Sequence, residues 1–247
     1  MTGPLEDRVA IVTGAATGIG RAIAHRLAAD GATVIVNHLD TPAEADVVCQ
    51  EINAAGGVAS PFAADISLRA EHAALVAAAL DRHGRWDILV ANAAVAPTRP
   101  LIDFTEDDVD RVLAVNVKGL IWGLQLAGAH LADGGRIVAL SSSTTGLHQP
   151  GYTVYDASKG AVDQLVRIFA HEIGARTITC NAVAPGATAT ETYVDGRGEE
   201  LVQRFASMSA FDRLGTPEEI ADVVAFLAGD RAGWITGQIV RANGGTV

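Results

Sequence analysis

Positive charge is scarce in this chain: 18 lysines and arginines stand against 29 aspartates and glutamates in 247 residues, a net charge of −11. The basic footprint that holds nucleic acid or an anionic membrane is missing. Cysteine is nearly absent too. Cys49 and Cys180 lie far apart without metal-ligand spacing, which argues against a disulfide scaffold or a zinc site and for two small apolar side chains in a reducing compartment. No apolar run reaches the roughly 18–20 residues of a membrane span, and "MTGPLEDR" lacks the core of a signal peptide. These absences predict a soluble cytoplasmic protein with no metal and with neither nucleic acid nor membrane as partner.

What is present is a long alternation of two periodicities. With 49% hydrophobic and 19% charged residues the chain is rich enough in apolar surface for one large domain over residues 1–247. "RVAIVTG", "ATVIVN", "VASPFAADI", "DILVANAAV", "GRIVALSS", "TITCNAVAP" and "GQIVRANGG" read as short strands rich in β-branched residues. Between them lie segments with apolar residues at helical spacing, such as Ile19, Ile23 and Leu27 before the stop at Gly31. Continuous apolar strands alternating with helices predict an α/β fold, a single doubly wound parallel sheet with helices on both faces. Residues 186–215 read as an irregular stretch without strand or helix pattern.

The turn "TGAATGIG", Thr13–Gly20, joins the first strand to the first helix. Gly14 permits a tight turn, Gly18 backbone approach to a ligand and Gly20 close packing, so that free N–H groups and the helix dipole face a bound pyrophosphate. The spacing is G-x-x-x-G-x-G rather than the commoner G-x-G-x-x-G.

Six motifs then follow in one order: this turn, "ANAA" at Ala91–Ala94, Asn116 in "VNVKG", the serines of "LSSS", Tyr155-x-x-x-Lys159, and Pro185–Gly186. Together, from Arg8 to Gly245, they resemble the short-chain dehydrogenase/reductase family, and within it single-domain members of the 3-oxoacyl-carrier-protein reductase type. The resemblance implies a Rossmann-like fold, a nicotinamide cofactor, a homotetramer and a substrate lid over about 186–215. It also implies that Tyr155 exchanges a proton with substrate, that Lys159 lowers its pKa and binds the nicotinamide ribose, and that Asn116 orders a water in a proton relay. A serine polarises the substrate oxygen. Ser142 is favoured by its place after strand five and by its separation of thirteen from Tyr155; counting back from Gly146 favours Ser143.

The chemistry supports these roles. Hydride transfer to a ketone builds charge on oxygen, which needs a proton donor and a second hydrogen bond to the carbonyl. A tyrosine with a pKa near ~10 becomes an acid/base near neutral pH only if a cation beside it favours the phenolate. Lys159, one helical turn away, can supply that charge.

The remaining expected cofactor contacts, by the same resemblance, are Thr17 and Ile19 in the glycine turn, Asn37 and His38 after the second strand, and Asp65 and Ile66 after the third. Asn92 and Ala93 after the fourth, and Pro185, Gly186, Thr188 and Thr190 after the sixth, complete the set. Asn37 stands where a carboxylate would repel a 2′-phosphate, and His38 can donate to one, so NADP(H) is favoured with NAD(H) as the alternative. Arg197 and Arg204 can hold an anionic handle, and His148, Gln149 and Tyr152 border the expected pocket. The reading is a ketoreductase acting on a small-molecule ketone or alcohol. Its rivals are a non-catalytic NAD(P)-binding regulator and, within enzymes, a dehydratase or epimerase.

Overall fold

The structure, a computed structural model, describes residues 3–195 and 198–247. Seven strands build one parallel sheet: β1 Val9–Val12, β2 Thr33–His38, β3 Val58–Ala63, β4 Ile88–Ala91, β5 Arg136–Leu140, β6 Thr179–Pro185 and β7 Ile239–Ala242. Their order is β3-β2-β1-β4-β5-β6-β7, every pairing being parallel. After β3 the chain crosses back over β1 to place β4, so the order reverses between β1 and β4. Ligands of open α/β sheets bind outside the carboxyl ends of strands at such a point.

The strands are buried because helices cover both faces. Helices α1 Gly18–Ala29 and α2 Pro42–Ala54 lie on one face. Helix α3 Arg69–His83 lies on the other, with a long rod made of α4 Glu106–Val112, a π-helical turn at Leu113–Lys118 and α5 Gly119–His130. Alternate residues of one strand feed opposite cores: Val34 and Val36 pack with Ile23, Leu27 and Val48, whereas Ile35 packs with Leu75, Leu89 and Leu124. Each fully buried side chain of this size contributes about 1.5–3 kcal/mol. The rod Glu106–His130 is long and apolar enough by composition to cross a membrane, but it lends Val115, Leu120, Leu124 and Ala127 to the core on the α3 face.

The longest single helix, α6 Thr153–Ile173, buries Val154, Val162, Val166, Ala170 and Ile173 along one stripe. Leu165 and Phe169 pack at the margin of the same core, while Ile168 faces outward. The stretch after β6 differs from the irregular segment expected. It holds α7 Glu191–Asp195 and α8 Glu199–Ala206, and its base is closed by Ala189 N–H to Gly215 O (2.8 Å) and Gly215 N–H to Ala187 O (2.9 Å). Both helices are short, and α8 buries only Phe205 and Ala206, which a reading of strand and helix runs over the whole stretch averages away. Helix α9, Pro217–Ala228, opens with a capping box between Thr216 and Glu219 and packs on the α1 face.

Candidate active site

At the carboxyl ends of β1, β2 and β4 the glycine turn makes the wall of a groove of about 400 Å³, lined by Gly14, Thr17, Gly18, Ile19 and Gly20. Gly14 and Gly18 take φ of +62° and +53°, a region that costs other residues steric strain. A Cβ on Gly20 would lie 2.1 Å from the Gly14 carbonyl oxygen, so that position admits glycine alone. Thr17 does not cap α1 with its side chain, and no acidic residue sits in the first turn, so the positive helix end is left to face the groove.

The polar residues around this turn hold it rather than reach outward. Thr13 Oγ1 accepts from Asn92 N–H (3.0 Å) and Ala93 N–H (3.1 Å), and Asn92 Nδ2 donates to the Thr13 and Gly14 carbonyls (2.9 and 3.0 Å). Asn37 Oδ1 accepts from Gly14 N–H (3.3 Å) while Nδ2 donates to Ala64 O (3.1 Å), so its side chain links β1, β2 and the end of β3. Asp65 and Ile66 line the groove, with Arg111 from α4 beside them. Burial pushes the Asp65 pKa up, but hydrogen bonds from Ser67 and the Arg111 guanidinium (3.2 Å) outweigh it and the net shift is downward.

His38 departs from expectation. Strand alternation sends it to the same face as Val34 and Val36; it is buried and is not among the groove-lining residues. Leu39, the next residue, takes the place at the groove.

A second cavity, of about 340 Å³, continues past Ile19 and Asn92 and contains Ser142, Tyr155, Lys159, Pro185, Gly186, Thr188 and Thr190. Tyr155 stands in the first turn of α6 and Lys159 one turn further, on the buried stripe. The two serines separate clearly. Ser143 Oγ donates to the Ala184 carbonyl (2.9 Å), whereas Ser142 Oγ lies within hydrogen-bond reach of the Tyr155 hydroxyl and of Thr144 Oγ1 (2.7 Å). Ser142 is therefore the serine that the fold aims at the tyrosine hydroxyl.

Burial acts on both members of the pair. Burial pushes Tyr155 up to about 12; a Ser142 proton turned toward the phenol opposes the rise, and Asp156 and Tyr152 add to it. Burial likewise pulls Lys159 down to about 8, against the charge of Asp163. Lys159 Nζ lies 5.7 Å from the centre of the Tyr155 ring and donates to the Leu140 carbonyl (2.6 Å). Desolvation is the largest cause of the shift in both groups. The phenol starts protonated, the state a proton donor needs.

Asn116 sits in the π-helical turn. Its Oδ1 accepts from Val95 N–H and its Nδ2 donates to Val95 O (both 2.9 Å) and to Ser158 Oγ (3.0 Å), and Ser158 Oγ donates to the Tyr155 carbonyl (2.6 Å). The side chain is thus fully engaged in fixing α6 against the loop after β4. A single wider turn in a helix is a common device at functional sites. Asn116 and Lys159 also line one small internal cavity, about 10 Å³, shared with His72.

Other expected neighbours fall outside. Tyr152 lines the cavity, but His148 and Gln149 do not, and Arg204 is exposed on α8 away from it. Arg197 lies outside the described residues. Residues the sequence did not single out also take part: Thr144 bridges Ser142 and Asp156, and Asp163 accepts from Ser141 Oγ (2.6 Å). Asp156 was visible as a carboxylate directly after the tyrosine; Thr144 and Arg111 carry no local signal.

Comparison with known proteins agrees with this geometry. Residues 14–247 match a family model described as enoyl-(acyl carrier protein) reductase. An uncharacterized oxidoreductase of Methylorubrum extorquens is 42% identical over 243 residues, 98% of each chain. A short-chain dehydrogenase/reductase from Serratia marcescens superposes with a TM-score of 0.94 at 38% identity, covering 98% of this chain and 99% of that one. The angucycline C-6 ketoreductase LanV, solved with bound NADP, gives 0.95 at 37% identity, covering 100% and 98%.

Proposed function

The chain belongs to the short-chain dehydrogenase/reductase family of oxidoreductases, and from that premise we propose that it reduces a ketone to a secondary alcohol with NADPH, Tyr155 supplying the proton. The observation that carries this reading is Tyr155, with Ser142 beside it and Lys159 Nζ 5.7 Å from its ring centre, in a cavity continuous with the glycine turn.

The cofactor fits the residues present. The uncapped N-terminus of α1, and a turn in which a Cβ at Gly20 finds no room, suit a pyrophosphate, and the polar groups of Thr188 and Thr190 line the neighbouring cavity. NADPH, when bound, supplies the hydride. Tyr155 donates its proton to the substrate oxygen as charge develops there, and Ser142 gives that oxygen a second hydrogen bond. The Lys159 ammonium stabilises the phenolate left behind. NADP(H) is supported by the lack of a carboxylate at the end of β2, by Arg111 in the groove and by the cofactor of LanV. We assign residues 186–215 as the lid that meets the substrate, from α8 and its Phe205 over the cavity. We further propose a homotetramer, supported by the outward-facing Ile168 and Trp234, acting in the cytoplasm.

The test is oxidation of NADPH and of NADH over a panel of ketones and thioesters. NADPH should be preferred at least tenfold in kcat/KM, and Tyr155→Phe should lower kcat by about a hundredfold or more with cofactor affinity kept. A Tyr155→Phe enzyme that still turned over normally would end this assignment. Absence of net NADPH consumption would point to a dehydratase or epimerase.

A further inference from the structure

The hydrogen bonds around Ser142 dictate where its proton points. Thr144 Oγ1 donates to Asp156 Oδ1 at 2.5 Å and lies 2.7 Å from Ser142 Oγ. A hydroxyl has one proton. Since that of Thr144 goes to the carboxylate, Ser142 must donate to Thr144. Ser142 Oγ meanwhile accepts from Thr144 N–H (3.2 Å). With Asp156 ionised, the chain therefore runs Ser142 to Thr144 to Asp156, and the serine proton is turned away from the reacting oxygen. Protonation of Asp156 reverses every link: the acid donates to Thr144, Thr144 donates to Ser142, and the serine proton is released toward the substrate.

We propose that Asp156, acting through Thr144, is a positioning residue that switches the direction of the Ser142 hydroxyl and so sets the rate of ketone reduction. This rests on the functional reading above. The groups facing Asp156 are Tyr155 from the first turn of α6, Thr144 from the turn after β5, and His148 from the loop between them, with Tyr152 packed on the Tyr155 ring. Burial raises the Asp156 pKa above the usual carboxylate range, while Thr144 and the charge of His148 pull it down. The net rise brings the switch closer to working pH.

The experiment is a pH profile of kcat for ketone reduction at saturating NADPH. The wild type should lose roughly three- to tenfold as pH rises through the Asp156 titration, the equivalent of one hydrogen bond. Asp156→Asn, whose amide donates to Thr144 as the protonated acid does, should hold the fast plateau throughout. Thr144→Val keeps the charge beside Tyr155 but cuts the chain; it should also abolish the step, and Thr144→Ser should restore it. A step that persists in Thr144→Val would mean a through-space effect on the phenol and overturn the proposal, as would a flat wild-type profile.

A second readout needs no turnover. With NADP+ bound, the Tyr155 titration is followed by carbon NMR of labelled tyrosine, assigned with Tyr155→Phe. Freed from Thr144, Ser142 should donate to the phenolate, so Thr144→Val should titrate roughly half a unit to one unit lower than wild type. Identical titrations would refute the switch. If no ketone were reduced but this shift appeared, the functional reading would fail and the switch would stand.

Discussion

His72 and Lys159 both face the small cavity behind α6, and both are too buried to hold a proton easily. His72 is 2% exposed with neither ring nitrogen hydrogen-bonded, and desolvation pulls its pKa down to about 4, the Ile66 carbonyl opposing without reaching hydrogen-bond geometry. Because the folded pKa lies below the unfolded value near 6.5, the unfolded chain binds the proton first as pH falls. Stability is complete above about pH 6.5 and is lost between there and about 4. His72→Val should remove this acid lability, gaining about 2 kcal/mol over wild type at pH 4.5 beyond any difference at pH 7. Urea unfolding at the two pH values measures it, and parallel losses in both proteins would show that other groups govern the acid limb. Nothing in the sequence pattern marked His72, because a histidine in a helix is legible as buried only once the facing helix is placed. Gly123 of that helix leaves the space its ring occupies.

At the scale of elements, the glycine turn shows why a short motif was readable in advance. Its conformation is demanded locally, by positive φ at Gly14 and Gly18 and by the contact between Gly20 and the Gly14 carbonyl. Gly20→Ala should therefore cost about 1–3 kcal/mol of stability and weaken cofactor binding at least tenfold, read by thermal unfolding and fluorescence titration. An alanine variant that bound NADPH as wild type does would show that the turn has room to relax. The long rod Glu106–His130 was readable as a helix but its π-helical turn was not. That widening belongs to Asn116 bonding the loop after β4, a contact with a residue 21 positions away.

At the scale of the whole molecule, Trp234 is 99% exposed between the last 3₁₀ turn and β7, and Ile168 is 59% exposed on α6. The tetramer proposed above would cover both side chains. Light scattering should give a tetramer mass, and Trp234→Arg with Ile168→Glu should yield smaller species that keep the native circular dichroism spectrum. A wild-type monomer would refute the assembly. The parallel α/β architecture, the glycine turn and the tyrosine–lysine spacing were all legible in the residue order, because periodicity and i,i+4 spacing are local and survive without neighbours. The different partners of Ser142 and Ser143, the withdrawal of His38 from the groove and the burial of Tyr155 needed the folded chain. Each depends on which face of a strand end is buried, and on how far burial outweighs a nearby charge, and neither quantity exists until distant segments pack together.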